Sequence, residues 1–458
     1  MKLVERISQQ QNSTPAAAFQ QRSLVGGPQK RSKDVQAEGF QQLKLKVHNS
    51  LFESLDVSRL ESLEPALASQ KVTEAITGIL NEEARLLTDA DKNRLIEEIK
   101  NELLGLGPLE PLLWDDEITD ILVNGHNQVY VEKRGKLHAT DVRFQDDQHL
   151  MLVIDRIVSQ VGRRVDESSP MVDARLPDGS RINAIIPPLA LDGPALSIRR
   201  FGRKRYNVED LIEKKSIVPE MVEFLQAIVK ARLNIIVCGG TGSGKTTLLN
   251  CLSSFIPAEE RVVTIEDSAE LSLQQPHVVR LETRPANIEG KGEITQRELV
   301  KNCLRMRPDR IVVGEVRSAE VLDMLQAMST GHDGSITTIH ANTPRDCVGR
   351  LEMMMLLSGI NIPQRAMRQQ IASAINIIVH ASRLSDGTRK IMKISEISGM
   401  EGDMVMIQDL FEFKRTGIGP GGEVQGQFLA TGIRSTYSQR LEAAGLRLDA
   451  KLFRNMNG

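Results

Sequence analysis

The stretch Gly239-Gly240-Thr241-Gly242-Ser243-Gly244-Lys245-Thr246 decides the fold, because it satisfies the pattern G-x-x-x-x-G-K-S/T of a phosphate-binding loop (P-loop). An apolar run, Leu233 to Val237, precedes it and is typical of a buried strand, and Thr247-Leu248-Leu249 opens a helix behind it. In such a loop the glycines let backbone N–H groups turn toward phosphates, and the helix N-terminus adds a positive dipole end. The strand–loop–helix context therefore predicts nucleotide binding in an α/β domain.

Each position of this loop has an expected task. Lys245 is expected to reach the β- and γ-phosphates, and the Thr246 hydroxyl to hold Mg²⁺. The expected nucleotide-binding residues of the loop are Gly240, Thr241, Gly242, Ser243, Gly244, Lys245, Thr246 and Thr247. A dinucleotide site is disfavoured, because a G-x-G-x-x-G pattern that starts at Gly240 would need a glycine where Lys245 stands.

The composition disfavours nucleic acid as a binding partner and a position within the membrane. The chain has 458 residues, with 58 basic against 60 acidic side chains, a net charge of −2 and 3% aromatic residues. This balance gives no global field that would attract nucleic acid, and so few aromatic side chains disfavour base stacking. No apolar run approaches the length of a membrane span, and no signal-peptide pattern opens the chain. We therefore expect a cytosolic protein with no integral membrane segment and no nucleic-acid partner.

The four cysteines are Cys238, Cys251, Cys303 and Cys347, and none of them forms a C-x-x-C pair. A structural zinc site is therefore disfavoured. We interpret them as small buried apolar residues of a protein in a reducing compartment.

Five regions follow one another along the chain. Residues 1–46 hold eight basic against three acidic side chains and many glutamines, and predict a disordered tail, although a basic tail could also touch an anionic membrane surface. Residues 47–108 space apolar residues at helical intervals and predict a three-helix unit. Residues 109–201 predict an α+β module of short strands, 202–218 a polar linker, and 219–458 a RecA-like P-loop ATPase domain with a mostly parallel sheet.

Candidate strands of the last region can be bounded from their apolar runs. They are 233–238, 261–265, 277–282, 310–314, 335–339 and 375–380. Near the end of the chain, residues 417–426 are rich in glycine and predict a loop, and a short helix is expected near 437–444.

Acidic residues follow two of these strands. Glu315 ends the run that starts at Arg310, where a carboxylate could lie beside Mg²⁺ or the attacking water. Glu266, Asp267 and Glu270 follow another strand, and carboxylates so close together would repel one another unless a metal ion or a water-ordering role uses them. A solvated surface loop is the alternative interpretation of that cluster.

Two histidines flank one apolar strand, His332 before it and His340 after it. A histidine near the γ-phosphate can donate a hydrogen bond to it. Lone histidines are more often structural, and the residues by themselves favour neither role.

These motifs, taken together, resemble the secretion ATPase superfamily that serves type II secretion, type IV pili and type IV secretion. The quoted boxes are the P-loop, Thr264-Ile-Glu-Asp-Ser-Ala-Glu-Leu271, Val312-Val-Gly-Glu-Val-Arg317 and Gly331-His…Thr338-Ile-His-Ala-Asn342. The chain is most similar to the CpaF/TadA-type ATPases of Tad (Flp) pilus assembly, through the segments 104–112, 118–125 and 175–183. The likeness extends over roughly residues 75 to 445.

The resemblance implies a homohexameric ring that binds ATP and Mg²⁺ between two domains of each protomer and works on inner-membrane platform proteins, at the cytoplasmic surface of that membrane. It implies that Glu266, Glu270 and Glu315 position or activate water, with Thr246 and Glu315 at the metal. It places His340, and also His332, near the γ-phosphate. Arg181 and one of Arg199 or Arg200 would close over the phosphates, where a guanidinium stabilises the charge of the transferring group.

Three other functions remain open at this stage. A RecA-like nucleic-acid translocase is disfavoured by the composition, and a conjugation-type secretion ATPase shares the same boxes. A nucleotide-gated scaffold with negligible turnover is disfavoured by the full set of boxes. Pilus assembly and retraction cannot be told apart from the residues.

Overall fold

The computed structural model describes residues 43–44, 46–47, 50–51, 64–83, 88–176, 178–200, 206–284, 286 and 291–454. The expected disordered tail lies outside the described residues except at its last positions. The chain divides into two compact units, one ending at Glu110 and the other starting at Pro111. None of the helices within the described ranges combines the length and the apolarity needed to cross a bilayer.

The first unit is helical. Helix α1 spans Pro65–Glu83 and α2 spans Asp89–Leu104, where Thr88 caps α2 by accepting a hydrogen bond from the backbone N–H of Asp91. A 3-10 turn, Gly107–Leu109, follows. The core of this unit consists of the apolar residues Val47, Leu51, Val72, Ile76, Leu80, Leu95 and Ile99. Most of the expected first helix, after Leu51, lies outside the described residues.

A short helix, α3 (Glu110–Trp114), leads into the second unit, which opens with a six-stranded antiparallel sheet in the order β3-β2-β1-β6-β5-β4. Its strands are β1 Ile118–Asn124, β2 Val129–Lys133, β3 Lys136–Ala139, β4 Met171–Arg175, β5 Arg181–Ile185 and β6 Ala195–Arg199. Helix α4, Asp147–Gln160, buries one apolar face. We call this sheet the amino-terminal sheet.

The remainder forms an α/β domain around a nine-stranded sheet in the order β15-β14-β13-β12-β7-β11-β10-β8-β9. The strands are β7 Ile235–Gly239, β8 Val262–Glu266, β9 Val278–Glu282, β10 Arg310–Val313, β11 Ile336–Ile339, β12 Ile377–Arg383, β13 Arg389–Glu401, β14 Met404–Ile418 and β15 Val424–Ala430. The six strands from β12 to β9 pair in parallel, and β12 to β15 pair antiparallel. All six candidate strands are confirmed to within a few residues.

The long strands at the other end of the sheet differ from the sequence expectation. Residues 417–426 were expected to be a loop, whereas β14 continues to Ile418 and β15 starts at Val424, so that the loop between them is shorter. Glycine gives no strand signal, because it lacks a side chain that packs on a pleated surface. Gly426 still pairs with β14, where a Cβ atom in its place would overlap the Phe413 ring and the Lys414 carbonyl.

Helices cover both faces of this sheet. They are α5 Val208–Glu213, α6 Pro219–Lys230, α7 Lys245–Ser253, α8 Gln296–Cys303, α9 Glu320–Ser329, α10 Pro344–Leu357, α11 Gln364–Ala374 and α12 Ser438–Ala443, with a 3-10 turn at Ala450–Phe453. Strand β7 is buried throughout, with Ile235 and Val237 in one core and Ile236 and Cys238 in the other. The architecture is therefore a RecA-like α/β domain. All four cysteines are buried and free, as expected.

Part of the expected linker at 202–218 is folded onto this domain. Residues 202–205 lie outside the described residues, but α5 follows, capped by a reciprocal pair of hydrogen bonds between Asn207 and Asp210. Val208 and Ile217 are buried. These two apolar side chains fix a segment whose overall polarity is typical of a linker.

Candidate functional site: a charged cleft at the carboxyl ends of the strands

A cleft of about 350 Å³ opens where the parallel strands β7, β8, β10 and β11 end. In open α/β sheets, ligands bind outside this edge, because the loops that follow neighbouring strands converge there. The lining residues are Arg181, Arg199, Thr241, Gly242, Lys245, Thr246, Glu266, Asp267, Ser268, Glu270, Gly314, Glu315, Val316, Arg317, Thr338, His340 and Arg350. The cleft thus joins residues from segments that are up to 169 positions apart, as Arg350 is from Arg181.

The P-loop forms one wall of the cleft. Gly244 has a φ of +92° and ends the loop, and Lys245 is the first residue of α7. The Lys245 Nζ donates hydrogen bonds to the carbonyl oxygens of Gly239 and Gly240, both at 3.1 Å. Burial lowers the pKa of Lys245, and the guanidinium of Arg199 lowers it further, against the opposing effect of Glu315. A desolvated ammonium group that rests on neutral carbonyls is suited to receive an anion.

Glu266 is the most buried carboxylate of the cleft, with 3% of the residue exposed. Its Oε2 accepts hydrogen bonds from the backbone N–H groups of Glu270 at 2.7 Å and Leu271 at 2.8 Å. Its Oε1 is buried and has no hydrogen-bond partner among the described residues. Burial raises the pKa of Glu266 to about 7, although the two backbone hydrogen bonds act in the opposite direction. A carboxylate in this state can accept a proton near neutral pH.

Glu315 follows β10 and forms an ion pair with Arg317, two residues further along the chain. Its Oε2 accepts hydrogen bonds from Arg317 Nε at 3.0 Å and Nη2 at 2.5 Å. Arg317 Nη1 also lies 3.7 Å from Asp267, so that it bridges the ends of β10 and β8. The Glu315 carboxylate is therefore oriented toward the cleft by an ion pair with a neighbour that lines the same cleft.

The amino-terminal sheet contributes a row of charged residues. Strand register places Glu132, Asp120, Arg199, Arg181 and Arg175 directly opposite one another across β2, β1, β6, β5 and β4. Side chains at paired positions of neighbouring strands point to the same face. The basic half of this row meets the P-loop domain, where Arg181 Nη1 lies 3.8 Å from Glu270 and Arg175 Nη1 lies 2.8 Å from Glu282. The row thus brings Arg181 and Arg199 into the cleft.

Most of the expected site residues are brought together. Lys245, Thr246, Thr241, Gly242, Glu266, Glu270, Glu315, His340, Arg181 and Arg199 all line the cleft. Gly240, Ser243, Gly244 and Thr247 belong to the P-loop and α7 without lining it. His340 reaches the cleft because it directly follows the carboxyl end of β11.

Two expected residues are not brought there, and we leave both out of the site. Arg200 follows Arg199 and, because successive strand residues face opposite sides, its guanidinium turns away and donates to the carbonyl oxygens of Asp115 and, at 3.0 Å, Ile118. His332 lies before the amino end of β11, whereas the cleft lies at the carboxyl end of that strand. Chain order carried this signal, because His332 precedes the strand and only His340 follows its carboxyl end, where ligands bind in open α/β sheets.

Sequence reasoning missed some lining residues. Arg317 stands at the end of the quoted box that contains Glu315, so a signal for it was present. Asp267 belongs to the acidic cluster that the sequence singled out, and Ser268 stands directly beside it. Arg350 had no signal, because it lies on the exposed face of α10, where a charged residue is ordinary.

Comparison with known proteins places these features in a family. The family model described as "Type II/IV secretion system protein" matches residues 102–406. A putative conjugal transfer protein of Mycobacterium tuberculosis is 39% identical over 323 residues, which cover 69% of this chain and 91% of that protein. The type IV secretion system protein VirB11 of Brucella suis is 32% identical over 320 residues, which cover 64% of this chain and 88% of that protein.

A solved structure agrees in sequence with these matches. The VirB11 ATPase from the Brucella suis type IV secretion system, crystallised in complex with sulphate, is 30% identical, with 63% of this chain and 94% of that chain covered and a TM-score of 0.35. The family model extends over well more than half of the chain, and it includes the P-loop, both acidic strand ends and the charged row. The chain therefore belongs to the type II/IV secretion system protein family.

Proposed function

We propose that this protein hydrolyses ATP with Mg²⁺ in the cleft and acts as a motor of a secretion or pilus machine. One observation carries the proposal: a P-loop lysine, acidic residues at two strand ends and two arginines from a separate sheet converge on one cleft. Binding alone would need only the P-loop. Hydrolysis also needs groups that orient water and groups that stabilise the charge of the transferring phosphoryl group.

The residues present fit a magnesium nucleotide. Among the described residues no group of three or more histidine, cysteine or acidic side chains could hold a metal ion by itself. Mg²⁺ is commonly bound by one or two protein ligands together with substrate phosphates, so Thr246 and Glu315 suffice on the protein side. The bound ion would neutralise phosphate charge.

In this proposal each carboxylate of the cleft has a separate role. Glu266, with its raised pKa and its unpartnered Oε1, is suited to accept a proton from the attacking water. Glu315, held by Arg317, is suited to orient that water or the metal. Glu270, 3.8 Å from Arg181, links the acidic segment to the amino-terminal sheet.

The cations act on the phosphates. Lys245 leaves its carbonyl partners for the phosphate oxygens, and His340 donates a hydrogen bond near the γ-phosphate. Arg181 and Arg199 stabilise the charge that spreads over the transferring group. Because both stand on the amino-terminal sheet, a movement of that sheet relative to the P-loop couples hydrolysis to mechanical work.

We further propose a homohexamer that works on inner-membrane platform proteins and powers assembly, or both assembly and retraction, of a Tad/Flp pilus. The motifs at 104–112, 118–125 and 175–183 support this branch. A conjugation-type secretion ATPase is the second candidate, supported by the similarity to the putative conjugal transfer protein of Mycobacterium tuberculosis. A deletion strain tests the two: loss of pili supports the first, and loss of DNA transfer with intact pili supports the second.

The first test of the activity is steady-state ATP hydrolysis by the wild type and Lys245→Ala, with the mass of each measured with and without an ATP analogue. We expect turnover that disappears in the variant, and a mass of six subunits. The exposed Lys414 offers a matched control, because Lys414→Ala removes the same charge far from the P-loop in sequence. A monomeric mass, together with no ATP hydrolysis that is lost in Lys245→Ala, would contradict the proposal. ATP hydrolysis that increases when single-stranded DNA is added would favour a nucleic-acid translocase.

A further inference from the structure

Two arginines of the β12–β13 hairpin lie against the P-loop, although neither lines the cleft. Arg389 Nε donates a hydrogen bond to the carbonyl oxygen of Gly242 at 2.9 Å. A Cβ atom at Gly244 would lie 3.5 Å from Arg389 Cδ, so the side chain also packs beside the end of the loop. Arg389 therefore supports the loop without being one of the residues that line the cleft.

This hydrogen bond orients one peptide group of the loop. In a trans peptide the carbonyl and the following N–H point in opposite directions. Arg389 holds the Gly242 carbonyl, and the N–H of Ser243, at the opposite side of the same peptide, donates a hydrogen bond to the carbonyl oxygen of Gly240 at 3.4 Å within the loop. Gly242 has a φ of +69°, which lets the backbone adopt this orientation without a steric cost. Inward N–H groups are the ones that hold phosphates.

The second arginine links the same hairpin to the amino-terminal sheet. Arg383 lies between two glycine turns: a Cβ at Gly242 would lie 3.2 Å from its Nη1, and a Cβ at Gly135, in the β2–β3 turn, would lie 3.2 Å from its Nε. Its Nη1 lies 3.4 Å from the Glu132 carboxylate on β2. Both side chains are mostly buried, with 28% of Arg383 and 18% of Glu132 exposed. Glu132 is also the acidic end of the charged row that carries Arg181 and Arg199.

We infer that the β12–β13 hairpin is a brace that couples the amino-terminal sheet to the P-loop, with Arg389 as a positioning residue for the peptide between Gly242 and Ser243 and Arg383 as the link to Glu132. The inference rests on the proposed function, because it concerns nucleotide affinity at the same cleft. Through this hairpin, the position of the amino-terminal sheet changes the shape of the phosphate site. This effect is separate from that of Arg181 and Arg199, which line the cleft. A merely structural role for the two arginines would change thermal stability and leave nucleotide affinity unchanged.

The test measures the Kd of a fluorescent ATP analogue with Mg²⁺ on the full-length protein, together with the thermal midpoint of each variant. Arg389→Met keeps the length of the side chain and removes its donor, and we expect the Kd to rise about tenfold. Arg389→Lys keeps a donor and a charge, and we expect a Kd within about threefold of wild type. Arg434, which pairs with Glu442 at 2.9 Å on the surface, offers the control Arg434→Met, with an unchanged Kd.

A Kd in Arg389→Met equal to that of wild type would overturn the positioning role. An equal loss in Arg389→Met and Arg389→Lys would overturn it too, because lysine can still donate to the Gly242 carbonyl. For the link, Glu132→Gln and Arg383→Gln should each raise the Kd by about threefold, and the double variant should be no weaker than the weaker single one. Effects that multiply in the double variant would overturn the link.

One comparison separates this inference from the proposed function. If wild type binds the analogue and Lys245→Ala does not, while Arg389→Met binds as wild type does, only the brace is wrong. If no protein in the set binds the analogue, the proposed function fails, and the brace fails with it.

Discussion

The two ends of the parallel strands treat buried polar groups in opposite ways. At the amino ends, Arg310 is fully buried and donates to Glu260, to the carbonyl oxygen of Val229 at 2.8 Å and to that of Gly334 at 3.2 Å. Asn234 makes hydrogen bonds through both ends of its amide group. At the carboxyl ends, Glu266 leaves one buried oxygen without a described partner and Lys245 rests on carbonyls.

This difference separates stability from function within one sheet. A buried polar network whose members are all paired specifies the fold. A buried ionisable group that is left partly unpaired instead lowers the stability of the folded protein. Among the described residues, two amino-end atoms also lack partners, Gln275 Oε1 and His332 Nδ1. We therefore expect the loss of Arg310 to change mainly unfolding, the loss of Glu315 to change mainly catalysis, and the loss of Glu266 to change both.

The largest expected effect tests the carboxyl ends. Glu315→Gln should leave the Kd for the ATP analogue within about twofold and lower kcat by about 10² or more, because a carboxylate that orients or activates water is lost. Single-turnover hydrolysis and a binding titration on the same sample check this. Loss of binding instead would mean that Glu315 mainly holds the metal. Glu412, an acidic residue of β14 far from the cleft in sequence, supplies the control Glu412→Gln.

At the amino ends, Arg310→Met should lower the free energy of unfolding by about 3 kcal/mol, because the buried Glu260 loses its ion pair at 2.6 Å and keeps the longer one with Arg232 at 3.2 Å. Urea unfolding measures the change. The double variant Arg310→Met/Glu260→Gln should recover much of the loss, and the Kd of the folded fraction should not change. A variant that kept its stability but lost nucleotide affinity would break the comparison.

The pH dependence of the free energy of unfolding tests Glu266 at the carboxyl ends. The pKa of Glu266 rises from an ordinary 4.5 to about 7 on folding, so its favourable contribution is fully present below pH 4.5 and is lost as the pH rises through 7. Glu266→Gln, which mimics the protonated form, should therefore gain stability relative to wild type between pH 4.5 and 7, by about 3 kcal/mol at most. Urea unfolding at several pH values measures it. A constant difference between the two proteins would contradict the raised pKa.

The smallest expected effect compares an arginine that lines the cleft with one that turns away from it. Arg181→Ala should lower kcat by about ten- to a hundredfold with little change in the thermal midpoint, because Arg181 lines the cleft and is 31% exposed. Arg200→Ala should do the reverse, because Arg200 is 7% exposed and donates to backbone carbonyls. Equal effects on kcat would mean that strand facing does not decide which arginine acts.

Local patterns explain what could be predicted of the fold. The six parallel strands are short apolar runs buried on both faces, and the P-loop follows the first of them, so that strand positions and the nucleotide-binding loop were both accessible. The long antiparallel strands β13 to β15 were missed, because their residues alternate poorly and contain glycines. The helix inside the expected linker was missed because it depends on two apolar residues.

By itself the sequence determined the P-loop, the acidic residues at two strand ends and the membership of the α/β class, because each depends on residues that are neighbours in the chain. Only the tertiary structure decided between Arg199 and Arg200, because the face of a strand acquires meaning only from the layer packed against it. For the two histidines, the order of His332, β11 and His340 along the chain already assigns His340 to the carboxyl end of the strand. The charged row and the contact of Arg389 with Gly242 likewise require strand register and a partner 147 positions away. These contacts join residues that are far apart in the chain, so the spacing of residues within a short segment does not predict them.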